Sequence, residues 1–154
     1  MKANIDKKVI RELLDQAAED GIQKIVVGAA IKRGDKFLLL ERAPSDFMGG
    51  LVEFPSGTPN AGEDVLQALV REVKEETDIS VTAVVAYLGA FDYASSSGKK
   101  TRQFNFLVET EAGDIKLDQN EHSNYFLLNP SDEQFFKLNI SNGTKSILLK
   151  AEEK

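Results

Sequence analysis

The chain has 154 residues, 42% of them hydrophobic and 29% charged, which is enough for a single domain that buries its core without covalent staples. It contains no cysteine and one histidine, His122, which excludes disulfides, thiolate nucleophiles, cysteine-ligated metal centres and histidine-rich zinc or iron sites. Its formal charge of −6 repels nucleic acid phosphates and anionic membranes at long range, so neither is an expected partner.

The first eight residues are polar where a secretory signal needs an apolar core, and the longest apolar stretch, residues 25–31, is too short to span a bilayer. A cytoplasmic protein is predicted. Ile5, Val9, Ile10, Leu13, Leu14, Ala17 and Ala18 recur at helical spacing, which predicts an amphipathic helix in residues 1–20 that stops at Gly21. It packs either on the domain or on a second subunit, as the contact of a homodimer. Residues 25–31 and 36–42 are predicted strands paired around a turn at 32–35. A loop over 43–62 holds three of the four prolines and a cluster of glycines, material suited to a shaped functional loop. A second helix is predicted over 63–77, with Leu66, Leu69, Val70 and Val73 on one face. Strands at 79–93 and 102–111 flank a turn at 95–100, a short strand follows at 125–128, and a helix at 144–151 closes the chain. This order predicts an α/β fold, a mixed β-sheet covered by helices on both sides.

The second helix ends in Arg71-Glu72-Val73-Lys74-Glu75-Glu76-Thr77-Asp78. At 3.6 residues per turn Glu72, Glu75 and Glu76 fall within an arc of about 100° at the edge of the apolar face. Like charges at these spacings cost about 0.2–0.5 kcal/mol each. The helix dipole disfavours anions in the last turn by about 0.3–1 kcal/mol each. A hard divalent cation such as Mg²⁺ or Mn²⁺ prefers oxygen ligands and would turn this cost into a site.

The preceding loop extends the pattern. Gly57, Glu63, Arg71, Glu72, Val73, Glu75, Glu76 and Ile79 match, at the required spacings, eight of the nine defined positions of the signature Gly-x5-Glu-x7-Arg-Glu-U-x-Glu-Glu-x-Gly-U, where U is bulky and apolar. The approach Glu53-Phe54-Pro55-Ser56-Gly57 is similar to the lead-in Glu-Phe-Pro-Gly-Gly. The sequence thus resembles the Nudix hydrolase family, in its MutT-like group. Asp78 replaces the second glycine, at a position that wants a left-handed backbone, which Asp tolerates better than most residues. Ser56 replaces the first glycine of the usual pair.

The resemblance implies a Nudix-like α/β/α sandwich over residues 1–154, with residues 1–20 as an N-terminal helical extension. It implies metal-dependent hydrolysis of a phosphoanhydride bond in a nucleoside diphosphate linked to another group, with Mg²⁺ or Mn²⁺ as cofactor and a small nucleotide as partner. Glu72, Glu75, Glu76 and the Ser56 carbonyl would hold the metal. Arg71 would orient the carboxylates. Gly57 and Asp78 would shape the motif, and Glu63 would hold the loop–helix junction or bind an outer metal. A general base must take the proton of the attacking water, and Glu75 and Glu121 are the candidates. His122, beside Glu121, is expected at the surface. Marks of the ADP-ribose, dinucleoside-polyphosphate and coenzyme A branches are missing around the motif, which leaves nucleoside triphosphates or related small nucleotides by elimination. An ADP-sugar or other nucleotide-sugar pyrophosphatase is the alternative, and a catalytically silent nucleotide sensor is disfavoured by the intact glutamates. Arg42 and Arg102, with Lys99 and Lys100, are candidate substrate contacts.

Overall fold

A computed structural model describes residues 1–154. After a two-residue strand β1 (Lys2–Ala3), helix α1 (Lys7–Glu19) starts at Asp6, whose carboxylate accepts from the Lys8 backbone N–H at 2.8 Å, and ends before Gly21 at φ 74°. Helix α2 (Val65–Thr77) starts two residues later than its predicted boundary. Asp64 and Gln67 close a reciprocal capping box there, which leaves Glu63 outside the helix. Asp78 ends α2 in the left-handed conformation at φ 62°, the geometry its position in the motif requires.

The strands are β2 (Lys24–Arg33), β3 (Lys36–Arg42), β4 (Val52–Glu53), β5 (Ser56–Gly57), β6 (Val81–Ala94), β7 (Lys100–Thr110) and β8 (His122–Leu128), followed by α3 (Glu133–Lys137) and α4 (Asn142–Glu152). The sheet runs β1-β6-β7-β2-β3-β4, with β5 on β2 and β8 on β3. It is mixed: β2 lies parallel to β7, whereas β6–β7 and β3–β8 are antiparallel. The β2–β3 hairpin turns at Gly34 and is paired only at Lys32↔Phe37 and Arg33↔Lys36. Beyond that the strands take different partners. β2 receives β5 at Gly28↔Ser56, and β3 receives β8 and β4. The split opens the sheet where the predicted loop enters it.

Each face of the sheet carries its own core. Val27, Ala29, Leu40, Phe104, Phe106 and Val108 meet Val65, Ala68, Leu69 and Val73 of α2 and the stripe Ile10, Leu13, Leu14 and Ala17 of α1. On the other face Ala30, Leu39, Leu88 and Leu107 meet Phe135 of α3 and Ile147, Leu148 and Ala151 of α4. This is the α/β/α sandwich the sequence implied. No helix is long and apolar enough to cross a membrane.

Candidate active site

Strands β4 and β5 are the ordered parts of the predicted loop, and they bring Glu53, Ser56 and Gly57 against the C-terminal half of α2. Gly57 leaves no room for a side chain, because a Cβ there would run into the carboxyl group of Glu72. The Ser56 backbone N–H points at the carboxylate of Glu76, 3.3 and 3.4 Å from its two oxygens. Glu121 and His122 arrive from the start of β8. The Ala43 N–H donates to the Glu121 carbonyl at 2.9 Å, and His122 pairs with Arg42 across a bulge that leaves Ser123 of β8 unpaired. Glu53, Ser56, Gly57, Glu76, Glu121 and His122 thus line one cleft.

The electrostatics of the cleft are unfavourable without a cation. Glu76 is buried, at 5% exposure. Burial pushes its carboxyl well above the usual carboxylate range, the charges of Glu53, Glu72 and Glu121 push it further, and the Ser56 N–H only partly opposes them. Burial also raises Glu72, against the pull of Arg71. Arg71 is a hub. Its guanidinium donates to both oxygens of Glu63 at 2.8 and 2.9 Å, to Glu72 at 2.8 Å, to Glu75 at 3.1 Å and to the Thr58 carbonyl at 3.1 Å. The Arg71 bonds, with the Asn60 N–H, draw Glu63 down to about 2. Held in this way, no three His, Asp or Glu side chains stand close enough to share one cation as they are. The donors themselves, several carboxylates around a buried one, suit a hard divalent cation.

The other sequence candidates separate. Arg42 faces the cleft, donating to both oxygens of Glu53 at 2.9 and 3.0 Å and to the Phe47 carbonyl at 2.8 Å. Arg102 is committed elsewhere, between Asp92 at 2.8 and 3.0 Å and Asp20 at 2.8 Å, where it fastens the end of α1 to the sheet. Lys100 joins the same junction through the Asp20 carbonyl. Glu75 is more than half exposed and lies outside the cleft lining. The expectation of a surface His122 is corrected: the residue is 4% exposed, because β8 places it inward, with Nε2 3.0 Å from a Glu53 oxygen and Nδ1 without a partner.

A second cavity, of about 270 Å³, adjoins the cleft and shares Arg42, Phe47, Glu53 and Tyr93 with it. Phe91 and Tyr93 of β6 form one wall, with ring centroids 6.0 Å apart, and the start of α4 closes another. Gln103 supplies an amide. Burial and the neighbouring Glu53 carboxylate push the Tyr93 phenol up to about 12. Tyr93, Gln103 and the pairing role of Glu53 were not singled out from sequence. The available signal was Gln103 and Asn105 two apart within an apolar strand, which places two amides on a buried face.

The NUDIX domain profile matches residues 23–148 of the chain. The chain belongs to the NUDIX family. An ADP-ribose pyrophosphatase of Methanocaldococcus jannaschii is 31% identical over 110 residues, 68% of this chain and 62% of that relative. The CTP pyrophosphohydrolase of Escherichia coli is 44% identical over 57 residues, 37% of this chain and 42% of the other. The chain therefore spans less than two thirds of the length of these curated relatives. Among solved structures, a MutT protein from Methanosarcina mazei superposes with a TM-score of 0.72 at 24% identity, covering 84% of this chain and 93% of that one. A MutT NUDIX hydrolase from Burkholderia pseudomallei gives 0.71 at 22%, covering 82% and 96%. At these identities the likeness is one of fold. Hydrolases of the NUDIX family generally use divalent metal ions.

Proposed function

We propose that the protein hydrolyses a phosphoanhydride bond in a nucleoside triphosphate or related small nucleotide, with Mg²⁺ or Mn²⁺ bound at Glu72, Glu75, Glu76 and the Ser56 carbonyl. The observation that carries this reading is the adjacency of two unlike spaces. A cleft of carboxylates and an aromatic cavity share Arg42, Phe47, Glu53 and Tyr93 in their walls. One suits a cation and its phosphates, the other a planar ring. At about 270 Å³ the cavity falls just below the roughly 300–1,000 Å³ of ordinary ligand pockets, which favours one ring system over two.

A divalent cation in the cleft supplies neutralisation of the phosphates and Lewis acidity that makes water a better nucleophile. The chain's own residues do the rest. Arg71 Nη1 bridges Glu72 and Glu75 and its bonds to Glu63 anchor it, so it would orient the two carboxylates toward a shared cation. Glu76, buried beside the Ser56 N–H, would be the least solvated ligand of a cation held there. Of the two candidate bases Glu121 is preferred. It lines the cleft, whereas Glu75 is bonded to Arg71 and lies outside the lining. Arg42 and His122 fix Glu53 from two sides and so set the junction between cleft and cavity.

A second reading, hydrolysis of ADP-ribose or another nucleotide sugar, is favoured by the name of the Methanocaldococcus relative. Incubation with Mg²⁺ and a nucleotide panel, with the products separated by anion-exchange chromatography, separates the two. Nucleoside triphosphates giving monophosphate and pyrophosphate support the first, turnover confined to nucleotide sugars supports the second, and no turnover on a broad panel refutes both. We further take residues 1–154 as one domain, cytoplasmic and acting on small molecules. The NUDIX match begins beyond α1, yet α1 is integrated into the core of its own chain. Gel filtration with light scattering tests whether a homodimer forms in addition.

A further inference from the structure

Gln103 and Asn105 lie on the inner side of β7, 6% and 0% exposed, and Gly28 on neighbouring β2 makes room for them. A Cβ at Gly28 would fall 2.5 Å from both amide groups. An amide can face either way, and its partners decide which. Asn105 Nδ2 donates to the backbone carbonyls of Gly89 and Gln103, each at 3.2 Å, and carbonyls cannot donate back. Asn105 Oδ1 is therefore the acceptor that faces Gln103, which meets it with Nε2 at 2.8 Å. This turns Gln103 Oε1 the other way, to Tyr93 at the cavity wall, where the hydroxyl reaches it only at 3.5 Å. A carbonyl with two lone pairs and one long contact has capacity to accept again.

The remaining polar lining is rich in acceptors. Arg42 turns its guanidinium onto Glu53 and the Phe47 carbonyl, and the Ser141 hydroxyl donates to Thr144. Asp92 and Glu53 also line it, their carboxylates bonded to Arg102 and to Arg42 with His122. A ring that brings a donor finds lone pairs here, and a ring that brings a carbonyl meets them head on.

Building on the nucleotide reading above, we propose that Gln103 is the specificity-determining residue of this cavity, its carbonyl accepting the exocyclic amino group of cytosine or adenine and discriminating against the matching 6- or 4-oxo bases. Asn105 is the positioning residue that holds Gln103 in the accepting orientation, and Gly28 admits the pair.

The matched pairs CMP against UMP and AMP against IMP test this without turnover. ¹⁵N-labelled protein is titrated in millimolar Mg²⁺, where the monophosphates have no anhydride bond to hydrolyse, following the side-chain amide signals of Gln103, assigned by their loss in Gln103→Met. The amino member of each pair is expected to bind about tenfold more tightly than the oxo member, the worth of one matched hydrogen bond, and to shift those signals. Gln103→Met brings each pair within about twofold, since an apolar chain of similar length satisfies neither base. Tyr93→Phe, at a partly exposed position, removes the competing hydroxyl and holds or widens the preference, which keeps the test decisive should Gln103→Met fold poorly. Equal affinities in the wild type, a preference that survives Gln103→Met, or one that disappears in Tyr93→Phe overturns the assignment while leaving nucleotide binding intact. Binding of none of the four at millimolar concentration overturns the nucleotide reading and this inference with it.

Discussion

Gly57 and Glu72 are so closely apposed that a single methyl group on the glycine would occupy the space of the glutamate's carboxyl. The two are fifteen residues apart in sequence, one on β5 and one on α2, and their contact seats the first carboxylate of the proposed cation site. Gly57→Ala is therefore expected to push Glu72 aside while leaving both cores untouched. A displacement of about 1 Å in a catalytic group costs on the order of 10²-fold in rate. Steady-state kcat should fall by that order with an unchanged far-ultraviolet circular dichroism spectrum, and a near-normal kcat would refute the contact's importance.

Glu76 tests the cation site through stability. Its charge is buried among other carboxylates, so removing it relieves a penalty in metal-free protein. Glu76→Gln is expected to raise Tm in EDTA. Wild-type protein should gain Tm with millimolar Mg²⁺, because a ligand that binds only the folded state stabilises it. The variant should lose that gain together with its activity.

Arg71 carries five hydrogen bonds to four residues, and a lysine cannot reproduce its fork. Arg71→Lys is expected to lower Tm and to reduce kcat steeply, since Glu63 loses its bidentate partner and Glu72 its orientation. A variant as active as wild type would show the hub to be dispensable.

Arg102 supplies a pH test. Its hydrogen bonds hold the Asp20 and Asp92 carboxyls below the usual carboxylate range. Depressed folded-state values mean that the stability these groups contribute is present above the unfolded carboxylate value of about 3.9 and is lost as pH falls through the folded values. Urea midpoints for Arg102→Met should lie below wild type at pH 7, by a small amount because the pairs are partly solvated, and converge with it toward pH 2. KM for nucleotides should change far less than loss of a phosphate contact would cause, because Arg102 reaches the cavity only through Asp92, which distinguishes this junction from the substrate contact expected of Arg102 from sequence.

Asp78 tests the departure from the motif. At φ 62° a β-branched side chain is strained, so Asp78→Val is expected to cost about 1–2 kcal/mol in chemical denaturation. Asp78→Gly, the residue of the signature, should cost nothing. It gives up only an exposed Lys74 pair at 3.5 Å.

Periodicity and spacing made the elements legible because α1, α2, β6 and β7 are long and amphipathic, and the signature spacing made the carboxylates legible because a helix converts sequence offsets into angles. What escaped was made by partners distant in the chain. β4 and β5 are two residues each, too short to carry a pattern, and β1 exists only because β6 offers it an edge. The inward turn of His122 follows from a bulge at Ser123 of β8, set by the pairing with β3 and not by any alternation in the β8 sequence itself. Arg102 is an arginine near the motif by any local measure, and only the approach of Asp20, 82 positions away, commits it elsewhere.

Gly28 pairs with Ser56 on one side and with Asn105 on the other. Three adjacent backbones therefore carry the cation cleft at one edge and the amide ladder at the other, separated by two interstrand spacings, about 10 Å. The sheet acts as a fixed gauge between the two ends of whatever lies across it. Loop 43–50 can trade residues at the mouth and alter what is admitted, but the gauge length is set by hydrogen-bonded strands and does not change with it.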